Sequence, residues 1–207
     1  MTTTDSSCVE YAGPADLDEI HELRLRAHRH DGRLGEVTTA DLAGPYDQDA
    51  WHLVIRHDRR IVAYMRLIDL RGDPGRSQYV CDGGHRVPAA MWADGILEGG
   101  AGAVEPAFRR GKLYTEIIRE AVRIVGRTGS RWLLGACEDE LLPGFEAMGF
   151  RVVETRDVEP VPGWRFRSHL FAMAMDALAG GRVPGRTAAA FAAALAEERQ
   201  DLIDRPA

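Results

Sequence analysis

The chain has 207 residues, of which 45% are hydrophobic and 28% are charged, and this composition is typical of one globular domain. A net charge of −6 argues against a large basic surface for nucleic acid, and no apolar run approaches the roughly 18 residues that a membrane-spanning helix needs. Because the first residues also lack the basic and apolar regions of a signal peptide, we expect a cytoplasmic protein.

The spacing of cysteine and histidine residues predicts no metal site. The three cysteines are far apart in the chain, and no two of them have the spacing of zinc ligands. His21, His28 and His30 lie close together, but they are more typical of a solvated helix face than of a metal site. We therefore expect a protein without a bound metal.

The first part of the chain predicts a strand, a helix and a hairpin. Residues 8–13 predict a short strand, and Pro14 with the acidic residues after it opens a helix that ends before Gly32. Residues 37–50 predict a short helix and a loop. A hairpin follows, because two apolar runs are joined by a short polar turn. Its strands are residues 51–57 and 61–70.

The second part begins with a long connection over residues 71–94, rich in Gly, Pro and Asp, and such a connection is usually functional or disordered. A strongly amphipathic helix follows the next strand, with Leu113, Ile117 and Val125 on its apolar face. The predicted strands of this part are residues 95–104, 132–137, 150–158 and 168–175. The amphipathic helix covers residues 109–126, and a short helix covers residues 138–148. An Ala-rich helix, capped by Thr187, runs to about residue 203.

The order of these elements is β-α-(α)-β-β-β-α-β-α-β-β-α. One strand–helix–strand unit inside an otherwise hairpin-linked sheet predicts an α/β fold with a mixed sheet. Residues 1–179 are expected to form the domain, and residues 180–207 a linker and C-terminal helix.

A basic turn joins the strand before residue 104 to the amphipathic helix. This turn is a predicted anion site, because the N–H groups and dipole of a helix N-terminus add to the charges of Arg109, Arg110 and Lys112. Gly111 lets the backbone approach a phosphate closely. The alternative is an ordinary strand-to-helix turn whose basic residues are solvated.

The segment Val104-Glu-Pro-Ala-Phe-Arg109 resembles the acyl-CoA-binding motif of the GNAT (N-acetyltransferase) superfamily, V-x-P-x-Y/F-R-G-x-G-x-G/A. The segment Leu142-Pro-Gly-Phe-Glu-Ala-Met-Gly-Phe150 is similar to the family's F-Y-E-x-x-G-F ending, and the resemblance covers residues 8–178. It implies a mixed, mostly antiparallel central sheet flanked by helices, with a C-terminal helical extension.

In this family the turn holds the pyrophosphate of CoA, and the preceding strand pairs with the pantetheine arm. The resemblance therefore implies acyl-CoA, or a phosphopantetheine-linked acyl donor, as the co-substrate. It implies that Ala103 and Val104 form the pantetheine strand. The implied pyrophosphate cradle is Arg109, Arg110, Gly111, Lys112, Leu113 and Tyr114.

The chain departs from the family pattern in two places. Lys112 and Tyr114 stand where glycines are common, and Tyr114 would crowd a pyrophosphate bound to the backbone. Phe145 stands where many members have a tyrosine that protonates the leaving thiolate. That general acid is absent, but a thiol with a pKa of about 8–9 can leave without much help.

Four charged residues resemble the autoinducer-synthase-like branch of the superfamily, which includes N-acyl amino acid synthases. They are Arg24, Asp47, Arg66 and Glu98. Members of this branch often take medium or long acyl chains from acyl carrier protein or CoA. Ala101 stands where autoinducer synthases often carry an arginine, which argues against homoserine lactone synthesis.

Glu98 is the candidate general base, since an amine acceptor arrives as ammonium and must lose a proton, directly or through water, before it attacks the thioester. The alternative for Glu98 is a structural carboxylate paired with Arg66. Arg24, Asp47 and Arg66 are candidate substrate-binding residues, or equally a plain ion-pair network. The small residues at 99–103 can admit an acyl chain, or can pack closely under a helix.

These features predict an N-acyltransferase that moves an acyl group of medium or long chain from acyl-CoA or acyl carrier protein to an amine by direct attack on the thioester. The expected acceptor is a small-molecule or peptide amine, and a homodimer is compatible with the sequence. Two other functions remain open. They are a small-molecule N-acetyltransferase that uses acetyl-CoA, and a catalytically silent acyl-CoA-binding module.

Overall fold

The computed structural model describes residues 8–32, 37–109, 112–161 and 164–204. The strands are β1 Val9–Ala12, β2 Trp51–His57, β3 Arg60–Asp69, β4 Ile96–Val104, β5 Trp132–Glu138, β6 Arg151–Val161 and β7 Trp164–Ala174. The helices are α1 Leu17–His30, α2 Thr39–Leu42, α3 Gln78–Cys81, α4 Ala89–Asp94, α5 Leu113–Thr128, α6 Leu142–Ala147, α7 Met175–Ala179 and α8 Arg186–Asp204. Within the described ranges, no helix combines the length and the apolar character needed to cross a membrane.

The seven strands form one sheet in the order β1-β2-β3-β4-β5-β7-β6. The β1–β2, β2–β3, β5–β7 and β6–β7 pairs are antiparallel, whereas β4 and β5 are parallel because α5 connects them. The predicted α/β fold, with a mixed and mostly antiparallel sheet flanked by helices, is therefore confirmed.

The chain divides into two compact units. The first unit consists of Met1–Leu67 and Ala101–Ile118, and the second consists of Ile68–Gly100 and Arg119–Ala207. Strands β3 and β4 and helix α5 each contribute residues to both units.

The core of the first unit forms where α1 packs on the sheet. The side chains of Ile20, Leu23 and Ala27 recur every three or four residues, so they lie on one face of α1. They pack against Val54, Ile61, Tyr64 and Ala103. Each fully buried Ile or Leu side chain contributes about 1.5–3 kcal/mol, which fixes the position of α1 on the sheet.

In the second unit, α8 packs along the C-terminal half of α5. Phe191 and Leu195 of α8 are fully buried, and a Cβ built on Gly126 of α5 would lie 3.1 Å from the Leu195 side chain. The exposed sides of the two helices are joined by an ion pair between Arg127 and Glu198 at 2.9 Å. The Ala-rich sequence of α8 therefore suits a helix that approaches its neighbour closely.

Several element boundaries differ from the sequence-based expectations. Helix α5 begins at Leu113 instead of residue 109, and a 3₁₀ turn at Pro106–Phe108 precedes it. The connection over 71–94 is not a simple loop, since it contains α3 and α4. Strands β6 and β7 are longer than predicted and pair as far as Val161 and Trp164. Helix α8 begins at Arg186, so Thr187 lies within its first turn and is not its cap.

Candidate active site

Strand β4 changes conformation in its glycine-rich half. Its parallel pairing with β5 joins Ile96–Glu98 to Trp132–Leu134. Further along, Ala101 has a φ of +54°, in the left-handed region that costs a residue with a side chain about 1–2 kcal/mol. Gly102, the next residue, is exposed. Strained residues of this kind cluster at functional sites, so the second half of β4 is a candidate for ligand contact.

The turn after β4 leads into the N-terminus of α5 through the 3₁₀ turn at Pro106–Phe108. Lys112 is exposed, and its carbonyl accepts the N–H of Glu116 at 3.0 Å, so Lys112 immediately precedes the first turn of α5. The positive end of the helix dipole and the charge of Lys112 therefore lie together. Arg110 and Gly111, two more residues of the predicted cradle, lie outside the described residues.

The guanidinium of Arg109 is held by α1 and by the end of β4. Its Nε donates to the carbonyl of Val104 at 3.1 Å, one terminal nitrogen donates to the carbonyl of Ala27 at 3.0 Å, and the other pairs with the carboxylate of Asp31. Arg109 thus ties the end of β4 to the last turn of α1. A phosphate bound by Arg109 would have to share or replace these partners.

Leu113 and Tyr114 open α5, and both are half-buried. A Cβ built on Gly102 would lie 2.5 Å from the Tyr114 hydroxyl oxygen, so the phenol lies directly against the backbone of β4. The same hydroxyl lies 3.9 Å from the Met65 sulfur on β3. At Gly102, therefore, the space of a missing side chain is filled by an aromatic ring from the helix.

Asp47 and Arg66, two predicted substrate-binding residues, form a buried ion pair in the first unit. One carboxylate oxygen of Asp47 accepts from Arg66 at 2.7 Å, and the other lies 3.3 Å from His21 Nε2 and accepts the Gly44 N–H at 3.2 Å. Burial raises the pKa of Asp47, but the hydrogen bond and charge of Arg66 more than offset this, so the pKa lies below its ordinary value. The Arg66 guanidinium also stacks 5.4 Å from the centre of the Tyr46 ring.

Arg24 lies in the same buried environment and interacts electrostatically with Asp47 and Arg66. It donates to the carbonyl of Leu42 at 2.8 Å, and burial lowers its pKa below the ordinary value. Its Nε has no hydrogen-bond partner among the described residues. The predicted set of Arg24, Asp47 and Arg66 is thus brought together in one cluster.

Two histidines that the sequence pattern did not single out as functional belong to this cluster. His21 was expected on a solvated helix face, which is wrong: it is 7% exposed, because it lies one turn before Arg24 on the buried side of α1. His52 connects the Asp47 carbonyl, 2.9 Å from Nε2, to the Tyr64 hydroxyl, 3.0 Å from Nδ1. In the described part of the chain, no three His, Cys, Asp or Glu side chains are arranged to hold a metal ion.

Glu98, the predicted base, lies in the second unit and is 1% exposed. One carboxylate oxygen accepts the Ser77 hydroxyl at 2.5 Å, and the other accepts the Gln78 N–H at 3.0 Å. The Tyr79 hydroxyl donates to the carbonyl of Gly99 at 2.6 Å. These contacts attach the connection between β3 and β4 to the sheet.

Phe145 and Cys137 behave as apolar core residues of the second unit. The Phe145 ring stacks 4.3 Å from the centre of Phe171 and packs edge-on against Phe150 at 5.6 Å. Burial, together with neighbouring acidic residues, raises the pKa of Cys137 to about 12. The Cys137 thiol is therefore protonated at neutral pH and inert as a nucleophile.

A second buried polar cluster surrounds His85. Its Nδ1 lies 2.9 Å from a carboxylate oxygen of Glu154, and its Nε2 lies 2.9 Å from the Ser168 hydroxyl. The order of these atoms matches a serine–histidine–acid triad. Ser168 is only 4% exposed, so its hydroxyl is a buried group. The cluster serves to attach the β3–β4 connection to strands β6 and β7.

No family model matches the chain, and no curated protein matches it. Solved structures do match. FeeM, an N-acyl amino acid synthase from uncultured soil microbes, superposes with a TM-score of 0.59 and 13% identity over 81% of this chain and 91% of that chain. NAA60 of Arabidopsis thaliana, solved with acetyl-CoA, has a TM-score of 0.59 and 15% identity over 83% and 99%.

An acetyltransferase of the GNAT family from Streptococcus pneumoniae has a TM-score of 0.54 and 11% identity, covering 81% of this chain and 98% of that chain. Because each of these proteins is matched over almost its whole length, the likeness extends to the complete fold. The chain therefore has the GNAT fold, and the resemblance expected from the sequence is confirmed at the level of the fold.

Proposed function

We propose that the protein is an N-acyltransferase that moves an acyl group from the thioester of acyl-CoA, or of acyl carrier protein, to an amine. One structural observation supports this proposal most directly. In a GNAT fold, β4 passes through a left-handed residue at Ala101 and an exposed Gly102, and then leads through a basic turn into the N-terminus of α5. This arrangement suits a thioester donor with an anionic head and a strand-like arm.

The proposed donor site uses the end of β4 and the start of α5. The pyrophosphate is bound by the α5 N-terminus with Lys112 and the predicted cations Arg109 and Arg110, since a helix N-terminus attracts phosphate. The pantetheine arm pairs with the backbone at Ala103 and Val104. Because Arg109 is already held by Asp31 and two carbonyls, Lys112 is the described cation most readily available to a phosphate.

In the proposed reaction, the ammonium group of the acceptor first loses a proton to Glu98, directly or through water. The neutral amine then attacks the thioester carbonyl, and N–H groups of β4 near Ala103 and Val104 stabilise the oxyanion. The carbon–sulfur bond breaks, and the thiolate leaves without help from residue 145, which is Phe. The thiolate then takes up the second proton, which the acylated nitrogen releases. The Ser77 hydroxyl and the Gln78 N–H hold the carboxyl group of Glu98 in position.

The proposed acceptor site includes the cluster of Arg24, Asp47 and Arg66. Its buried cations suit an amine acceptor, of small-molecule or peptide type, that also carries an acidic or strongly polar group. Within this cluster the Arg24 Nε is the donor that a ligand oxygen could use.

The length of the acyl chain has two candidates. A medium or long chain is favoured by the resemblance in Arg24, Asp47, Arg66 and Glu98, and by the likeness to FeeM. Acetyl is favoured by the likeness to a protein solved with acetyl-CoA and by the ring of Tyr114, which fills space at Gly102. A series of CoA thioesters from acetyl to dodecanoyl, with one amine acceptor, decides between them.

The proposed reaction is tested by thioester consumption with a panel of amines, using wild type, Glu98→Gln and the surface control Glu10→Gln. General-base removal typically lowers the rate about 10²–10⁴-fold at neutral pH. The defect should shrink as the pH approaches the pKa of the acceptor, because the amine then needs no base.

The control Glu10→Gln should match wild type, since the Glu10 side chain is 52% exposed on β1. A defect of Glu98→Gln that is equal at every pH would assign Glu98 to holding Ser77 and Gln78. CoA binding without thioester consumption by wild type, across the whole panel, would instead identify an acyl-CoA-binding module.

A further inference from the structure

We infer that Tyr114 is a positioning residue for the acyl donor: its ring forms a wall over β4 at Gly102 against which the pantetheine arm packs. This inference rests on the proposed function, since it assumes a pantetheine donor on β4. It assigns a role to a residue that stands where the GNAT motif commonly has glycine.

The contact between Tyr114 and Gly102 is specific. A Cβ on Gly102 would lie 2.5 Å from the Tyr114 hydroxyl oxygen, and 3.0 and 3.1 Å from two ring carbons. Real side chains do not approach so closely, so any residue other than glycine at 102 would displace the ring. The glycine and the tyrosine therefore form one structural pair, and a packing reason for Gly102 follows directly.

The ring is also anchored on the neighbouring strand. The Tyr114 hydroxyl lies 3.9 Å from the sulfur of Met65, a β3 residue that is only 2% exposed. The ring thus extends from α5 over β4 toward β3. An anchored ring has a defined position, which a wall for a ligand requires.

Gly102 is exposed even though the ring lies against it. Since successive residues of a strand face opposite sides, and Ala103 is 5% exposed on the α1 side, the ring occupies the other side at Gly102. The accessible part of Gly102 is therefore its backbone. A pantetheine arm, which has two amides, can pair with such a backbone as an added strand does.

An arm in this position has the phenol ring at its flank. The ring face contacts the methylene groups of the arm. The ring thus restricts the arm to one path along β4, while the adenosine and phosphate groups lie beyond the α5 N-terminus, away from the ring.

The test compares two ligands by calorimetry. CoA carries the pantetheine arm, whereas adenosine 3′,5′-bisphosphate lacks it. For Tyr114→Ala we expect roughly five- to tenfold weaker binding of CoA, the size typical of losing one packed aromatic contact, with binding of the bisphosphate unchanged within about twofold. Tyr114→Phe, which keeps the ring, should lose only about two- to threefold for CoA. Tyr11→Ala, at an exposed tyrosine of β1, is the matched control and should alter neither ligand.

Gly102→Ala should weaken CoA binding as Tyr114→Ala does, because it displaces the ring. The double variant should be no weaker than either single variant, since both changes remove the same wall. If Tyr114→Ala does not fold, Tyr114→Leu replaces it, with the bisphosphate as the check on the remaining site.

Equal loss of both ligands in Tyr114→Ala, or unchanged CoA binding, overturns the inference and leaves Tyr114 a packing role. Failure of wild type to bind either ligand overturns the proposed function itself. If wild type binds the bisphosphate and CoA with the same affinity, the phosphate site is supported and the contact between Tyr114 and the pantetheine arm is rejected.

Discussion

The buried polar cluster around Asp47 contains a charged acid, whereas the buried polar cluster around His85 contains a neutral histidine. In the first unit, Asp47 is ionised, because Arg66 lowers its pKa more than burial raises it. In the second unit, burial lowers the pKa of His85 below its ordinary value of 6.5, despite the opposing effect of Glu154. His85 is therefore neutral at pH 7. The cluster around Asp47 is therefore stabilised by a charged partner, whereas the cluster around His85 is stabilised by a neutral imidazole.

The largest loss of folding stability is expected from Asp47→Asn. This change keeps the size of the side chain but leaves the buried guanidinium of Arg66 without the carboxylate that it contacts at 2.7 Å. Breaking a buried pair by removing one charge costs about 3–5 kcal/mol of folding free energy. Urea unfolding at pH 7 measures this loss.

Asp58→Asn is the matched control for this change, since the Asp58 side chain is 91% exposed. It should alter the free energy of unfolding by less than about 0.5 kcal/mol. A loss below about 1 kcal/mol for Asp47→Asn would contradict the charged character of the first cluster.

An intermediate loss of folding stability is expected when the pH falls, because His85 then becomes protonated. The unfolded chain binds a proton at His85 below about pH 6.5, whereas the folded protein does so only at lower pH, so folding stability falls as the pH drops from 7 toward 5. The slope for one such group is at most about 1.4 kcal/mol per pH unit. Wild type should therefore lose stability relative to His85→Gln over this range, as measured by urea unfolding at pH 7, 6 and 5.

His30→Gln, at the exposed end of α1, is the matched control for this change. The charged and titratable groups that face His85 are Glu154, Arg156 and His169. A constant difference between wild type and His85→Gln at all three pH values would show that His85 is not held neutral by the fold.

The smallest effect is expected from Glu198→Gln, which removes an ion pair with Arg127 at the surface of α5 and α8. Two nitrogens of Arg127 contact the two carboxylate oxygens of Glu198, each at 2.9 Å, but the Arg127 side chain is 41% exposed. Such pairs contribute about 0.2–1 kcal/mol, and salt screens them. A loss as large as that of Asp47→Asn would show that burial is not what makes the Asp47 pair important.

Local patterns in the sequence were sufficient to predict most of the strands and helices of the fold. The alternation over β2 and β3 and the apolar face of α5 are short-range properties, and the structure has these elements within a few residues of the expected bounds. The ends of β6 and β7 were misjudged, because proline and glycine near residue 162 suggested a longer loop. The strand, basic turn and helix around residues 104–114 were also recognisable, since they are contiguous in the chain.

The contacts between side chains in the candidate site could be predicted only partly from the sequence. Arg24, Asp47 and Arg66 were proposed together, and the structure places them in one cluster. The burial of His21 was missed, although its position one turn before Arg24 was a usable signal. The role of Glu98 as a base stays a prediction, and its hydrogen bonds to Ser77 and Gln78 had no signal in the sequence.

The sequence by itself determined the order of the elements and the place of the predicted anion site, because both follow from periodicity and from neighbours along the chain. Only the tertiary structure decided which side chains meet. His85 contacts Glu154 and Ser168, which lie 69 and 83 positions further along the chain. Tyr114 meets Gly102 because α5 folds back over β4. Such contacts depend on how elements pack, and packing between distant segments leaves no local pattern in the amino-acid order.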